Sequence, residues 1–551
     1  MPSGIMAFRR ATRGQVRSKA RERSADQSVA RLKRPADEVP SSNANRLFQF
    51  ARRRPGYAAI TGLIIAALLL RVVALGQPQV DVDEQFYLLV GDRMLHGLTP
   101  YVDVWDRKPI GLFLIYAAAR ATGSPGLIQY QLLATISAAA TAFAIRVAAP
   151  HLRASQIGAW LGGLAYLLWI DLLGGVGGQA PVFFNLPMAI AGMLIVREFA
   201  ADDRHPKTLV RAGLVSMTLV GIAIQIKYTA LFEGIFFGLA FLWLALRIRM
   251  PLRQIIAFGC AMVLLALLPT TIAAFYYWLT GHLHDFIFAN FLSIGSRLPL
   301  PLGEVLYRAS TLTLVLVPLM SLSFLGLRFR TPAVPSGQAS ARRFVATWLG
   351  VAVLAVVGLR YFFDHYGLPV AVPAALGAAP ILSNWRKIWP YIAGLFATAF
   401  IAGQALARDE ISSSGGWGTV RAIEKAGKDL RNCPFVYDGP SVVYVLENWC
   451  TATRYPFPYH LSYFPESTAL GVDALAELAR IMGKHPGLVL IRKDPYANEN
   501  LAARALMMHA LKRDYTVVAV APFHHSALLI FRLKPGIPPE RNEVVADPHS
   551  P

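Results

Sequence analysis

Asp81-Val82-Asp83-Glu84-Gln85-Phe86-Tyr87, closed by Trp105-Asp106-Arg107-Lys108-Pro109, is the segment from which the rest of the chain can be read. Between Asp81 and Lys108 stand six carboxylates and three Lys or Arg cations, directly after the first long apolar run. Carboxylates and a lysine held where the chain leaves a bilayer suit chemistry on an anionic, lipid-carried substrate. The residues around this segment decide whether there is a bilayer and which face the segment occupies.

The composition settles the first question. Of 551 residues, 55% are hydrophobic and 16% charged, with a mean hydropathy of +0.43; a soluble domain carries about 25% charged residues. An integral, multi-pass α-helical membrane protein follows. The net charge of +21 invites a nucleic-acid partner, but the cations lie before residue 55 and in short loops between apolar runs, as the positive-inside rule requires. No nucleic acid is expected. Residues 1–54 are poor in aromatics and rich in Ser, Ala and Arg, and are expected to form a disordered, basic cytoplasmic tail. Arg9-Arg10 is not read as a twin-arginine signal, because no apolar region follows before about residue 57.

A hydrocarbon core about 30 Å thick needs about 20 apolar residues per helix. That rule predicts about eleven spans, near 57–76, 125–149, 155–173, 181–198, 209–226, 228–246, 254–279, 307–327, 344–361, 366–383 and 388–406. The apolar stretch 109–121 is too short to span and is expected to lie along the interface. With the N-terminus inside, the loops 150–155, 197–207, 247–254, 328–343 and 384–387 all fall in the cytoplasm; four carry an excess of Lys and Arg, and 197–207 is mixed. The opposite face receives the loop 77–124, the loop 280–306 and everything after about 408. The chemistry therefore faces outward, away from nucleotide sugars.

Residues 408–551 change character, with apolar runs of four to eight residues alternating with amphipathic segments. They predict a small periplasmic α/β domain, with strands at 435–439, 442–448, 487–492, 516–522 and 527–533. Domain organisation is thus 1–54 tail, 55–407 membrane domain, 408–551 outer domain. Cys433 and Cys450 lie near the ends of the first two strands; a disulfide and two free thiols are both open. Cys260 sits in a span and is read as packing.

Within the acidic segment, a helix is predicted from Asp83 to His96. Asp83 and Glu84 can share a face with Tyr87, and Asp81 either caps the helix or joins the site. Asp83 and Glu84 are the candidate catalytic pair; Asp81, Tyr87, Lys108, Lys227, Arg360 and His365 are the candidate substrate-binding residues. Lys227 lies at an outward turn, where an ionisable group is a functional candidate, and Glu233 is its partner or a second polar group of the cavity. Arg360 and His365 bracket another outward turn. His282-Leu283-His284-Asp285 is read as an interfacial loop in preference to a metal site.

Asp83-Glu84-Gln85-Phe86-Tyr87, then Gly97-Leu98-Thr99-Pro100-Tyr101, then Trp105 to Pro109, resembles the first outer loop of the polyprenyl-phosphate-sugar glycosyltransferases of GT-C fold. That superfamily includes the protein O-mannosyltransferases, the lipid A aminoarabinose transferases and the rhizobial galacturonosyltransferases. Lys227 and the turn Arg360 to Pro369 add to the resemblance, which covers roughly 57–400. It implies an inner-membrane transferase with a polyprenyl-phosphate-linked sugar as donor and an envelope glycan, lipid or protein as acceptor, working at the lipid bilayer. It assigns Asp83 to the acceptor or the anomeric centre, and Lys108 to the donor phosphate. The chain departs from many members at Gly177-Gly178-Gln179, where they place an acidic residue; Gln179 or Asn185 is the hydrogen-bonding substitute there. Direct displacement by an acceptor hydroxyl inverts the anomeric centre. Metal dependence is open at this point: Asp81 and Asp83 could hold Mg²⁺ or Mn²⁺ through their oxygens, or lysine and arginine alone could neutralise the phosphate. The competing class is a transporter or flippase of lipid-linked sugars, which would place polar residues at the midplane and show repeats.

Overall fold

A computed structural model describes residues 55–328 and 336–537. The expected N-terminal tail, 1–54, lies outside the described residues. The helices expected as spans are α1 (Pro55–Arg71), α4 (Leu127–Ala148), α5 (Gln156–Leu172), α6 (Ala180–Ala200), α7 (Pro206–Ile224), α8 (Ala230–Arg247), α9 (Leu252–Leu279), α10 (Leu302–Arg328), α11 (Ser336–Leu359), α12 (Leu368–Leu382) and α13 (Trp385–Ser413). Between α1 and α4 stand α2 (Val82–Leu95) and α3 (Ile110–Ala121).

Among the described residues nine helices are long and apolar enough to cross a membrane. The two remaining expected spans, α1 and α5, have 17 residues each, at the short end of what a bilayer accepts. The protein is a multi-pass membrane protein. Periodicity mistook several ends. α11 begins eight residues before its expected start at 344, because its first turns carry Ser, Gln and Arg rather than apolar residues.

α6 and α12 form the interior of the bundle, and most of their residues are buried. α12 packs on α5, α10 and α11. Small residues permit this, since in a bilayer helices associate by close backbone approach. At the crossing of α10 and α12 a Cβ on Gly326 would collide with the Gly377 carbonyl. Cys260 corrects its reading: it is exposed on α9.

α13 kinks at Ile388, just before Pro390, since proline cannot donate the helical bond. It then runs unbroken across residue 408 and leads to α14 (Gly416–Ala426). Beyond it lie β1 (Phe435–Val436), α15 (Ala474–Gly483), β2 (Leu488–Arg492), α16 (Leu501–Asp514), β3 (Tyr515–Phe523) and β4 (Ser526–Leu533). The four strands make one sheet of order β1-β2-β4-β3, with β1 parallel to β2 and the other pairs antiparallel. One expected strand, 442–448, is instead a helical turn at Val443–Leu446. Pro440 and Ser441 open that turn, Asn448 closes it at φ 50°, and the Tyr444 hydroxyl turns back to accept from Val436 N at 3.0 Å. The folded-back segment brings Cys433 and Cys450 to a Cα separation of 5.1 Å, and they form a disulfide.

Candidate active site

α2 begins where its sequence says it should, because Asp81 caps it: Asp81 Oδ1 accepts from Asp83 N at 2.8 Å. The first turn then carries Asp83 and Glu84 side by side. They point to different neighbours. Asp83 meets the charges of Lys108, His365 and Lys227, while Glu84 lies against the Gly177–Gly178 backbone and Tyr130. A Cβ on Gly177 would strike both Glu84 carboxylate oxygens, so the glycine at that position makes room for the acid.

Three segments far apart in sequence converge on Asp83. The first is the return of its own loop. Tyr101, held at φ 69°, donates its hydroxyl to Lys108 O at 2.8 Å. That fixes Lys108, whose ammonium lies 5.2 Å from the centre of the Tyr87 ring. The second is the turn between α7 and α8, where Lys227 sits 4.7 Å over the Tyr366 ring. The third is the turn before α12, which supplies His365 and Tyr366. Lys227, Glu233, His365 and Tyr366 line a small shared cavity of about 20 Å³, room for about one water. Glu233 is thus a polar group of the cavity, with its Oε1 accepting from Trp348 Nε1 at 2.5 Å.

The electrostatics divide the carboxylates. Burial and the neighbouring charges of Asp83 and Glu84 push Asp81 well above the usual carboxylate range. Burial acts on Asp83 in the same direction, but Lys108, His365 and Lys227 outweigh it and hold Asp83 below its ordinary value. Asp81 thus takes up a proton more readily than Asp83, whose surroundings favour the ionised form. The Gln179 amide spans the two, donating to Asp81 Oδ1 at 2.7 Å and to Asp83 Oδ2 at 3.5 Å. Glu84, buried, is raised to about 7. Of the cations, Lys108 overcomes its burial through Asp83 and Asp106 and stays above its usual value. Burial and Lys108 bring Lys227 down to about 7.

Arg360 does not join this group. It is exposed at φ 62°, and among the described residues its side chain makes no hydrogen bond or ion pair with the cluster. The chain turns at Arg360 itself, which carries the side chain away. Asn185 is likewise engaged elsewhere, with the Tyr166 hydroxyl and Leu368 O. His282 pairs with Asp285 at 3.5 Å, and among the described residues no group of three or more His, Cys, Asp or Glu is placed to hold a metal.

Sequence reasoning missed the residues that brace the site. Arg107 forms a two-pronged pair with Glu466, and Arg297 reaches the same carboxylate at 2.8 Å. Trp105 N donates to Arg454 O at 2.7 Å, and His460 packs on the Trp105 ring. Beneath Glu84, Arg71 pairs with Asp171 at 3.4 Å and donates to Ala134 O at 3.1 Å. An available signal was the position of Arg71 and Asp171, charged residues in the last turn of apolar helices.

With this geometry in hand, comparison with solved structures places the fold. ArnT from Cupriavidus metallidurans in its apo state aligns with a TM-score of 0.57 and 12% identity, over 86% of this chain and 97% of that one. ArnT bound to undecaprenyl phosphate aligns with a TM-score of 0.57 and 13% identity, over 87% and 99%. The Archaeoglobus fulgidus oligosaccharyltransferase in its apo form is more distant, with a TM-score of 0.49 and 12% identity over 80% and 70%. No family model matches the sequence, and no curated protein does. The chain has a GT-C fold, as its outer loop leads one to expect.

Proposed function

We propose that the protein is an inner-membrane glycosyltransferase that moves a sugar from a polyprenyl-phosphate donor to an envelope glycan, lipid or protein on the periplasmic face. The observation that carries the reading is the convergence of Lys108, His365 and Lys227 on Asp83, whose carboxyl they hold below its ordinary value, on a fold shared with a protein solved with undecaprenyl phosphate. A carboxylate and two ammoniums in a buried site are what displacement at a sugar phosphate requires.

The acceptor hydroxyl attacks the anomeric carbon, the bond from that carbon to the phosphate oxygen breaks, and the hydroxyl proton passes to Asp83. The phosphate leaves with one more negative charge than it brought. Lys108 and Lys227 stabilise that developing charge in a site where water is excluded. A bound donor phosphate also draws the two ammoniums away from Asp83. Its proton affinity then rises, so the carboxylate becomes a better base when the donor is in place. Attack by the acceptor itself inverts the anomeric centre.

Glu84, paired with Asp83 in the sequence reading, is a positioning residue in this mechanism: it seats the 177–179 loop, and through Gln179 that loop orients Asp81 and Asp83. Asp81 caps the helix and shares the amide. The residues present do not suit a resident divalent cation. Asp81 and Asp83 are bridged by an amide nitrogen, and ammonium groups already act on Asp83. Chelation is therefore expected to leave transfer intact, and loss of activity in EDTA restored by Mg²⁺ or Mn²⁺ would add a cation to the mechanism.

The direct test offers purified protein in lipid a set of radiolabelled polyprenyl-phosphate hexoses and pentoses with crude envelope acceptor. Label reaching the acceptor with wild type and not with Asp83→Asn supports the reading. Donor equilibrating across the bilayer without transfer would make the protein a transporter.

A further inference from the structure

On three helices the candidate active site lies at one end and a second cavity at the other. Gln179 precedes α6, Lys227 precedes α8 and His365 follows α11. At their far ends Phe199 of α6, Trp243 and Arg247 of α8, and Arg343 and Phe344 of α11 line a cavity of about 810 Å³ together with Arg204. On α8 its lining runs from Phe236 to Arg247, and its rim at Arg247 stands about 25 Å along the helix from the end that follows Lys227, so the cationic rim is distinct from the Asp83 cluster.

Its floor is aromatic: Phe199 stacks on Trp243 at 5.5 Å and on Phe344 at 4.9 Å. Its polar rim is cationic. Arg204 is anchored by donating to Glu198 O at 2.7 Å and Phe199 O at 2.9 Å, Arg343 donates to Ser340 Oγ at 3.2 Å, and Arg247 lies 4.6 Å over Trp243. No Asp or Glu is among the lining residues. The arginines found in ion pairs are others, so among the described residues none of these three has a carboxylate within 4 Å. Glu198, whose charge bears on Arg204, is shared with Arg197. Three guanidiniums around an aromatic floor, with no carboxylate among the lining residues, call for an anion, and arginine matches the oxygens of a phosphate two at a time. The outer side of the cavity is apolar and exposed, at Leu239, Trp243 and Leu246 of α8. Along a spanning helix such a face meets acyl chains, and basic pockets between spanning helices suit anionic headgroups.

We propose that this cavity binds the phosphate headgroup of an anionic phospholipid, of the phosphatidylglycerol or cardiolipin class. The arginines hold the phosphate, and the acyl chains lie along the exposed face of α8. The test is native mass spectrometry of protein taken from nanodiscs of phosphatidylcholine mixed with phosphatidylglycerol or cardiolipin. Wild type retains anionic lipid over phosphatidylcholine, and R204Q/R247Q/R343Q loses that preference by at least about tenfold, which is about 1.4 kcal/mol. Arg247→Gln alone, at an exposed position, reads the same ratio should the triple variant not fold. Equal retention by wild type and variants overturns the assignment. So does polyprenyl phosphate retained in place of phospholipid, or inorganic phosphate bound without lipid preference.

Discussion

Asp83 and Glu84 are neighbours in sequence with opposite surroundings, and the residue scale is where the proposed mechanism is most exposed to test. Asp83→Asn removes the base and leaves a side chain of nearly the same shape, so transfer is expected to fall by at least about a hundredfold while the protein still elutes as a single species. Full activity would remove Asp83 from the chemistry. For Glu84 the expectation differs: Glu84→Gln keeps the packing against Gly177 and retains most activity, whereas Glu84→Ala opens a hole under the 177–179 loop and lowers activity together with melting temperature. Loss of transfer in Glu84→Gln with the fold intact would make the acid itself chemical. Lys227 gives a pH signature. It sits near 7 in the free protein because burial and Lys108 disfavour its charge. Holding the donor phosphate requires the ammonium, so donor KM rises with pH above 7, by up to about tenfold per unit. Lys227→Arg, charged throughout, flattens that slope. An unchanged slope would assign the lysine to structure. The charge-rich segment 81–108 indicated Asp83 and Lys108, and the outward turns between apolar runs indicated Lys227 and His365. The split between Asp83 and Glu84 was illegible, since it depends on the 177–179 loop lying against one face of α2 and the lysines on the other.

Among the elements, the outer loop is held by parts of the chain that periodicity cannot connect to it. Glu466 is reached by Arg107 from one side and Arg297 from the other, and all three side chains are largely buried. Removing one partner from a buried ion pair costs about 3–5 kcal/mol, because the charge left behind has no water. Glu466→Ala should therefore lower the melting temperature by several degrees and raise acceptor KM. A neutral effect on both would mean the clamp is incidental. The expected helices were legible because twenty apolar residues admit few alternatives. The strand expected at 442–448 was not. Val442, Val443 and Val445 favour strands, yet Pro440 opens a turn and the buried Tyr444 hydroxyl pulls the segment under β1. Tertiary packing overrode propensity there.

For the whole molecule, the expected orientation and the observed contacts can be joined in one argument. The basic loops 150–155, 247–254 and 384–387 and the mixed loop 197–207 lie at the ends of the helices away from Asp83, while residues after 426 touch the loop that carries it, as at Trp105 and Arg107. If the basic loops face the cytoplasm, the sheet of β1 to β4 stands in the periplasm with the site. The Cys433–Cys450 disulfide then sits in the compartment where such bonds persist. A sequence separation of 17 makes it worth about 3 kcal/mol by loop closure. The chain has three cysteines, so the orientation has a countable consequence. Protein trapped from intact cells, denatured without reductant and treated with a mass-tagged maleimide should gain one adduct, on Cys260, and three after reduction. Three adducts before reduction would place the sheet in a reducing compartment and, through the Arg107–Glu466 contact, take the Asp83 site to the cytoplasmic face with it.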